Sequence, residues 1–198
     1  MLVIGLTGSI AMGKSEAVKM CREWGLPVFD ADAEVHRLYD SPEGAALIAP
    51  FVPEATQSGR VDRKIVTEAV LKDSTLLSRL ETKVHAEIRR RREIFLDEAR
   101  KAGHRAAILD VPLLFETGGE KTVGKVIVIS ARPELQRARA LSRPGMTEER
   151  LAMILARQMP DAQKRLKADA VIENNSTLAE MKNSLFKVLQ DWKALPHA

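Results

Sequence analysis

One cysteine serves all 198 residues. With Cys21 alone, an intrachain disulfide and a thiolate-rich metal site are both excluded. Cys21 falls on the apolar side of a helical pattern and reads as core. The histidines are sparse as well: His36, His85, His104 and His197 follow no metal-ligand spacing. Aromatic residues make up 4% of the chain, with five Phe, two Trp and one Tyr scattered along it. They form no stacking set of the kind that binds single-stranded nucleic acid. No apolar run approaches the ~20 residues of a membrane span. No repeat or low-complexity tract is present. The amino-terminal stretch carries no basic leader region or cleavage site, so a cytoplasmic location is the expectation.

What is there is ordinary for a globular chain: 45% hydrophobic and 29% charged residues. The length fits a single domain able to bury a real core. The formal charge of +4 suits an anionic ligand. It is too small to separate a nucleotide from a nucleic acid.

The informative stretch is Gly8-Ser9-Ile10-Ala11-Met12-Gly13-Lys14-Ser15, which reads G-x-x-x-x-G-K-S, the Walker A pattern. Before it, Leu2-Val3-Ile4-Gly5-Leu6-Thr7 is apolar and of strand length. After it, Ala17, Val18, Cys21 and Trp24 recur at helical spacing. Strand, glycine loop and helix are therefore predicted in that order. Gly8 and Gly13 let the backbone approach a polyphosphate without an intervening Cβ. Successive N–H groups and the helix N-terminus then supply positive potential. Lys14 is expected on the β- and γ-phosphates and the Ser15 hydroxyl on Mg²⁺. The motif points to a nucleoside triphosphate and leaves the phosphate acceptor open.

Further along, Pro27-Val28-Phe29-Asp30 reads as a second strand, with Asp30-Ala31-Asp32 at its carboxyl end. Ligands of open α/β sheets bind there. Asp32 could take a proton from an acceptor hydroxyl, either aspartate could help to hold Mg²⁺, and both could simply cap a helix. Helices are predicted near residues 43–48, 63–71 and 74–102, so that 34–104 is a mainly helical region without a convincing strand. Arg89-Arg90-Arg91-Arg92 lies in the long helix. Four consecutive residues point around its whole circumference, which favours a solvated surface over a nucleic-acid patch. His85, in the same helix, is either core or a substrate contact.

Arg105–Asp110 is the third predicted strand, and Asp110 sits where a Walker B aspartate orients Mg²⁺. Pro112 should stop that strand. Leu113-Leu114-Phe115 beyond it is either core or an apolar wall for a ligand. Lys125–Ser130 reads as a central parallel strand. Pro133 opens a helix on which Gln136, Arg139 and Arg143 are expected to share a face. After the Pro144-Gly145 break a second helix carries Arg157 and Gln158 near its end. This pair of helices, residues 133–160, reads as a lid whose arginines offset charge on a transferring phosphoryl group. A short last strand, Ala170-Val171-Ile172, leads into Glu173-Asn174-Asn175, which could face the base of a nucleotide.

The combined pattern resembles the dephospho-CoA kinase family over nearly the whole chain. The resemblance rests on Ile4-Gly5-Leu6-Thr7-Gly8 leading into the loop, Asp30-Ala31-Asp32, Gly59-Arg60-Val61-Asp62-Arg63 and the Leu80…His85 segment. It continues with Asp110-Val111-Pro112-Leu113-Leu114-Phe115-Glu116, Gln136…Arg139…Arg143, Gln158 and Val171-Ile172-Glu173-Asn174. It implies a single P-loop kinase domain over residues 1–198, of three-layer α/β/α class with a parallel sheet, a helical CoA-binding region and an arginine-bearing lid. It also implies transfer of the ATP γ-phosphate, with Mg²⁺, to the ribose 3′-hydroxyl of dephospho-CoA.

Carried over position by position, the loop from Gly8 to Ser15 and Asn174 hold ATP, and Ser15 and Asp110 serve the metal. Lys14, Asp32, Arg139 and Arg143 are catalytic, with Asp32 as the base. Thr7, Asp32, His85, Leu113, Leu114 and Phe115 flank the substrate. No nucleic-acid or membrane partner is expected, and the oligomeric state is a monomer or weak homo-oligomer. Rival readings are another small-molecule P-loop kinase, for a nucleoside, nucleotide or shikimate-like alcohol, and a non-catalytic nucleotide- or RNA-binding protein.

Three loop residues depart from the family pattern: Ser9 and Ala11 replace the usual glycines, and Met12 a smaller residue. Were φ positive at position 11, Ala11 would be strained by ~1 kcal/mol or more. His85-Ala86 stands for the family's His-Pro pair.

Overall fold

The computed structural model describes residues 1–196; His197 lies outside the described residues. In chain order the elements are β1 (Leu2–Thr7), α1 (Lys14–Glu23), β2 (Val28–Asp30), α2 (Ala31–Tyr39), α3 (Pro42–Ile48), α4 (Arg63–Lys72) and α5 (Ser74–Lys101). Then follow β3 (Ala106–Asp110), β4 (Lys125–Ser130), α6 (Pro133–Leu141), α7 (Glu148–Ala156), α8 (Asp161–Lys167), β5 (Ala170–Glu173) and α9 (Leu178–Asp191). Short 3₁₀ turns lie at Pro53–Thr56 and Gly119–Thr122. The chain divides into two compact units, residues 30–98 and the remainder.

The first unit is built on a five-stranded sheet of order β2-β3-β1-β4-β5. β1 pairs in parallel with β3 and β4, and β4 with β5. The apolar run of β4 is explained by burial on both faces. Ile127 and Ile129 join Ile4 and Leu6 of β1, Ala17 and Cys21 of α1, and Met181 and Leu185 of α9. Val126 and Val128 face the other way, toward Leu114 and Phe115. Helix α8 lies against β4. The architecture is the expected three-layer α/β/α with a parallel sheet.

The second unit is helical. Leu38, Ile48, Val52, Leu76, Leu80 and Val84 form its core. Its helices start on side-chain caps: Asp30 accepts from the Ala33 N–H at 2.9 Å, Ser41 from Gly44 at 3.1 Å and Asp62 from Lys64 at 2.9 Å. Three arginines of the run, Arg90, Arg91 and Arg92, are paired within the unit. Arg90 and Arg91 bind Glu87 and Glu43, and Arg92 binds Glu93.

Two features differ from the sequence expectation. Helix α8 has no apolar stripe to announce it: its buried position is Lys164, and Leu166 is 87% exposed. Helix α6 ends at Leu141, with Ser142 as its C-cap, before the Pro144-Gly145 pair. Arg143 therefore lies beyond the helix and is exposed, and does not share a helical face with Gln136 and Arg139.

Candidate active site at the phosphate loop

The loop follows β1 directly and ends on α1. Gly13 has φ +102°, and a Cβ there would run into the Asn174 side-chain amide. A Cβ on Gly8 would stand 2.6 Å from the Ile129 carbonyl oxygen. Both glycines are thus required by close approach. Ala11 has φ +61°, so the strain anticipated for it is present. Its methyl is buried with Ala140 of α6 and Leu151 of α7, which offsets part of that cost. Ser9 is buried too. Met12 is 2% exposed, and its Sδ accepts the Ala131 N–H at 3.0 Å.

Distant side chains hold the loop backbone in place. The Ile10 N–H donates to Gln158 Oε1 at 3.1 Å, and Gln136 Nε2 donates to the Ile10 carbonyl at 2.9 Å. Asn174 Nδ2 donates to the Met12 carbonyl at 3.0 Å. Arg139 Nη1 in turn donates to the Asn174 carbonyl at 3.0 Å. Gln136 and Gln158 thus tie the loop to residues 133–160, and Asn174 ties it to the end of β5.

At the mouth of the loop Lys14 Nζ forms an ion pair with Asp110 Oδ1, at the end of β3. Asp110 is 5% exposed, so its charge is compensated inside the protein. Burial, and secondarily the Asp110 carboxylate, push the Cys21 thiol up to about 12, against Arg22, which lowers it. Cys21 is core, as the sequence indicated, and inert as a nucleophile at neutral pH. Ser15 is exposed.

The segment after β3 is tied at both ends. Thr7 Oγ1 donates to the Pro112 carbonyl at 3.1 Å, and the Val111 N–H to the Leu6 carbonyl at 3.1 Å. At the far end Glu116 Oε1 accepts the Met159 N–H at 2.7 Å and lies 2.9 Å from Lys164 Nζ. Burial raises the Glu116 carboxyl, but Lys164 and the Met159 N–H outweigh it and leave it below the usual carboxylate range. Leu113 is 38% exposed while Leu114 is 1% and Phe115 6%. Of the three, only Leu113 has surface to offer a ligand. Leu114 and Phe115 are core: in the turn that follows β3 they pack with Val126 and Val128.

Asp32 and His85 belong to the helical unit. Asp30 is the N-cap of α2, and Asp32 stands exposed in its first turn. The capping role thus falls on Asp30 and leaves the Asp32 side chain at the surface. His85 is exposed on α5. Sequence reasoning missed Lys164, since a lysine in a polar stretch signals surface. It missed the Met12 contact as well, since nothing local marks its partner.

The dephospho-CoA kinase family model matches residues 2–180. Dephospho-CoA kinase of Rhodopseudomonas palustris strain HaA2 is 47% identical over 196 residues, covering 99% of this chain and 98% of that protein. Among solved structures, TT1252 from Thermus thermophilus superposes with a TM-score of 0.80 at 33% identity, covering 96% of this chain and 97% of the other. Dephospho-CoA kinase from Campylobacter jejuni does so with a TM-score of 0.71 at 29% identity, covering 96% of each. Likeness at this level, over nearly the full length and on a loop of this geometry, makes the chain a member of the dephospho-CoA kinase family.

Proposed function

We propose that the chain transfers the γ-phosphoryl group of ATP to the ribose 3′-hydroxyl of dephospho-CoA, forming coenzyme A and ADP. The observation that carries this reading is the rigidly held loop with Lys14 at its mouth, in a chain of this family. The 3′-oxygen attacks the γ-phosphorus, the bond to the β–γ bridging oxygen breaks, and the 3′-hydroxyl proton passes to Asp32. Lys14 leaves Asp110 for the β- and γ-phosphates, where its charge opposes that of the leaving group. Arg139 and Arg143 offset charge on the transferring group, and Asn174 holds the loop on the nucleotide side.

Ser15 and Asp110 offer hard oxygen donors of the kind Mg²⁺ takes, and the Lys14 contact brings Asp110 to the loop. When bound, Mg²⁺ would offset negative charge on the triphosphate. The helical unit and the Leu113 surface bind the CoA moiety, with His85 as one contact, and residues 133–160 act as the lid. The working location is the cytoplasm; no described helix is long and apolar enough to cross a membrane.

The test is CoA formation from ATP, Mg²⁺ and dephospho-CoA. Stoichiometric CoA is expected, with kcat lowered about 10²- to 10³-fold in Lys14→Ala. ATP binding without CoA formation would sink the reading and send the search to other acceptor alcohols.

A further inference from the structure

Lys164 is the most deeply enclosed charged side chain among the described residues, with 0% exposure. Its ion-pair partner is Glu116, 2.9 Å away, whose Oε2 is shut off from water without a hydrogen bond. A buried pair of this kind costs desolvation of both charges. An apolar pair of similar volume would serve stability as well or better. What the pair supplies that apolar residues would not is a fixed position for Glu116. That position matters because residues 111–116 are tied at the β3 end through Val111 and Pro112, while at the α8 end the Glu116 bonds act beside the burial of Leu114 and Phe115 and the Phe115 contact with Lys167. Leu113, the exposed residue of the stretch, lies between the two anchors.

We propose that Lys164 is a positioning residue for the acceptor substrate: through Glu116 it fixes the far end of segment 111–116 and so sets where the Leu113 side chain stands. It touches neither ATP nor the reacting atoms. The inference rests on the proposed reaction for what Leu113 meets, and on the structure alone for what Lys164 holds.

Steady-state kinetics on Lys164→Met in the full chain is the test, read beside hydrogen exchange. Displacing a positioned contact should raise KM for dephospho-CoA about tenfold or more, with KM for ATP changed less than about twofold. Amides of residues 113–117 should exchange faster while those of β1 and the phosphate loop keep their protection. The double variant Glu116→Gln/Lys164→Met removes both charges but keeps an acceptor for the Met159 N–H. With the Lys164 contact still missing, KM for dephospho-CoA should stay raised as in Lys164→Met, and a return to the parent value would overturn the inference.

Should Lys164→Met not fold, Glu116→Gln keeps acceptors for both partners and should show the same split at about threefold. An unchanged acceptor KM, or equal rises for both substrates with no local change in exchange, would overturn the inference. Absence of CoA formation by the parent chain would instead remove the proposed reaction, and the exchange pattern would still decide what Lys164 does.

Discussion

In the sheet unit the site backbone is held from far along the chain. Ile10 is bound by Gln136 and Gln158, 126 and 148 positions away, and Met12 by Asn174, 162 positions away. In the helical unit the corresponding ties are mostly local. Asp30, Asp62 and Asp73 cap or turn within three residues, and the longer ties are the Val61 N–H to the Tyr39 carbonyl at 2.7 Å, the half-buried Arg91–Glu34 contact and the more exposed pairs of Arg90 and Arg91 with Glu43. Exposed ion pairs of that sort contribute little. A phosphate loop that must present its N–H groups without rearranging is over-determined by tertiary bonds, as electrostatic preorganisation requires. A helical region held mainly by local anchors is expected to open at lower free energy than the phosphate loop.

If the helical unit contributes chemistry and not only a binding surface, Asp32→Asn should have the largest effect. Turnover should fall about 10²- to 10⁴-fold while ATP affinity is kept. Normal kcat in that variant would leave all the chemistry in the sheet unit. The difference in anchoring is sharpened by core truncation. Leu80→Ala should cost about 2–5 kcal/mol, and hydrogen exchange should show the loss confined to residues 30–98, with β1 and β4 still protected. Loss of protection across both units together would erase the distinction. The smallest effect is expected at Ala11→Gly. Relief of ~1 kcal/mol of left-handed strain and loss of ~0.8 kcal/mol of methyl burial nearly cancel. A melting temperature close to the parent is expected, and a large change either way would mean that strain and methyl burial at Ala11 do not balance.

The parts of the site that could be read in advance are those whose geometry is enforced locally. Gly8 and Gly13 announce a turn that needs close approach, and the alternation of strand, loop and helix follows from apolar periodicity. Pro133 opened α6 as expected. The parts that could not be read depend on partners remote in sequence. Arg143 was placed on a helical face because Pro144 looked like the terminator, yet α6 closes at Leu141. Leu113, Leu114 and Phe115 were one apolar cluster in the sequence, and only the sheet decides that two are core and one is exposed.

By itself the sequence determined the phosphate loop, the parallel α/β order and the family. Each is written in spacing along the chain, and local backbone sterics and apolar period translate spacing into structure. Tertiary structure alone decided that Lys14 meets Asp110, that Asn174 and two glutamines secure the loop, and that a lysine on a polar helix is buried against Glu116. Those are pairings of charges and hydrogen bonds across the fold. Their energy depends on burial and distance, neither of which has any local signature in the residues that make them.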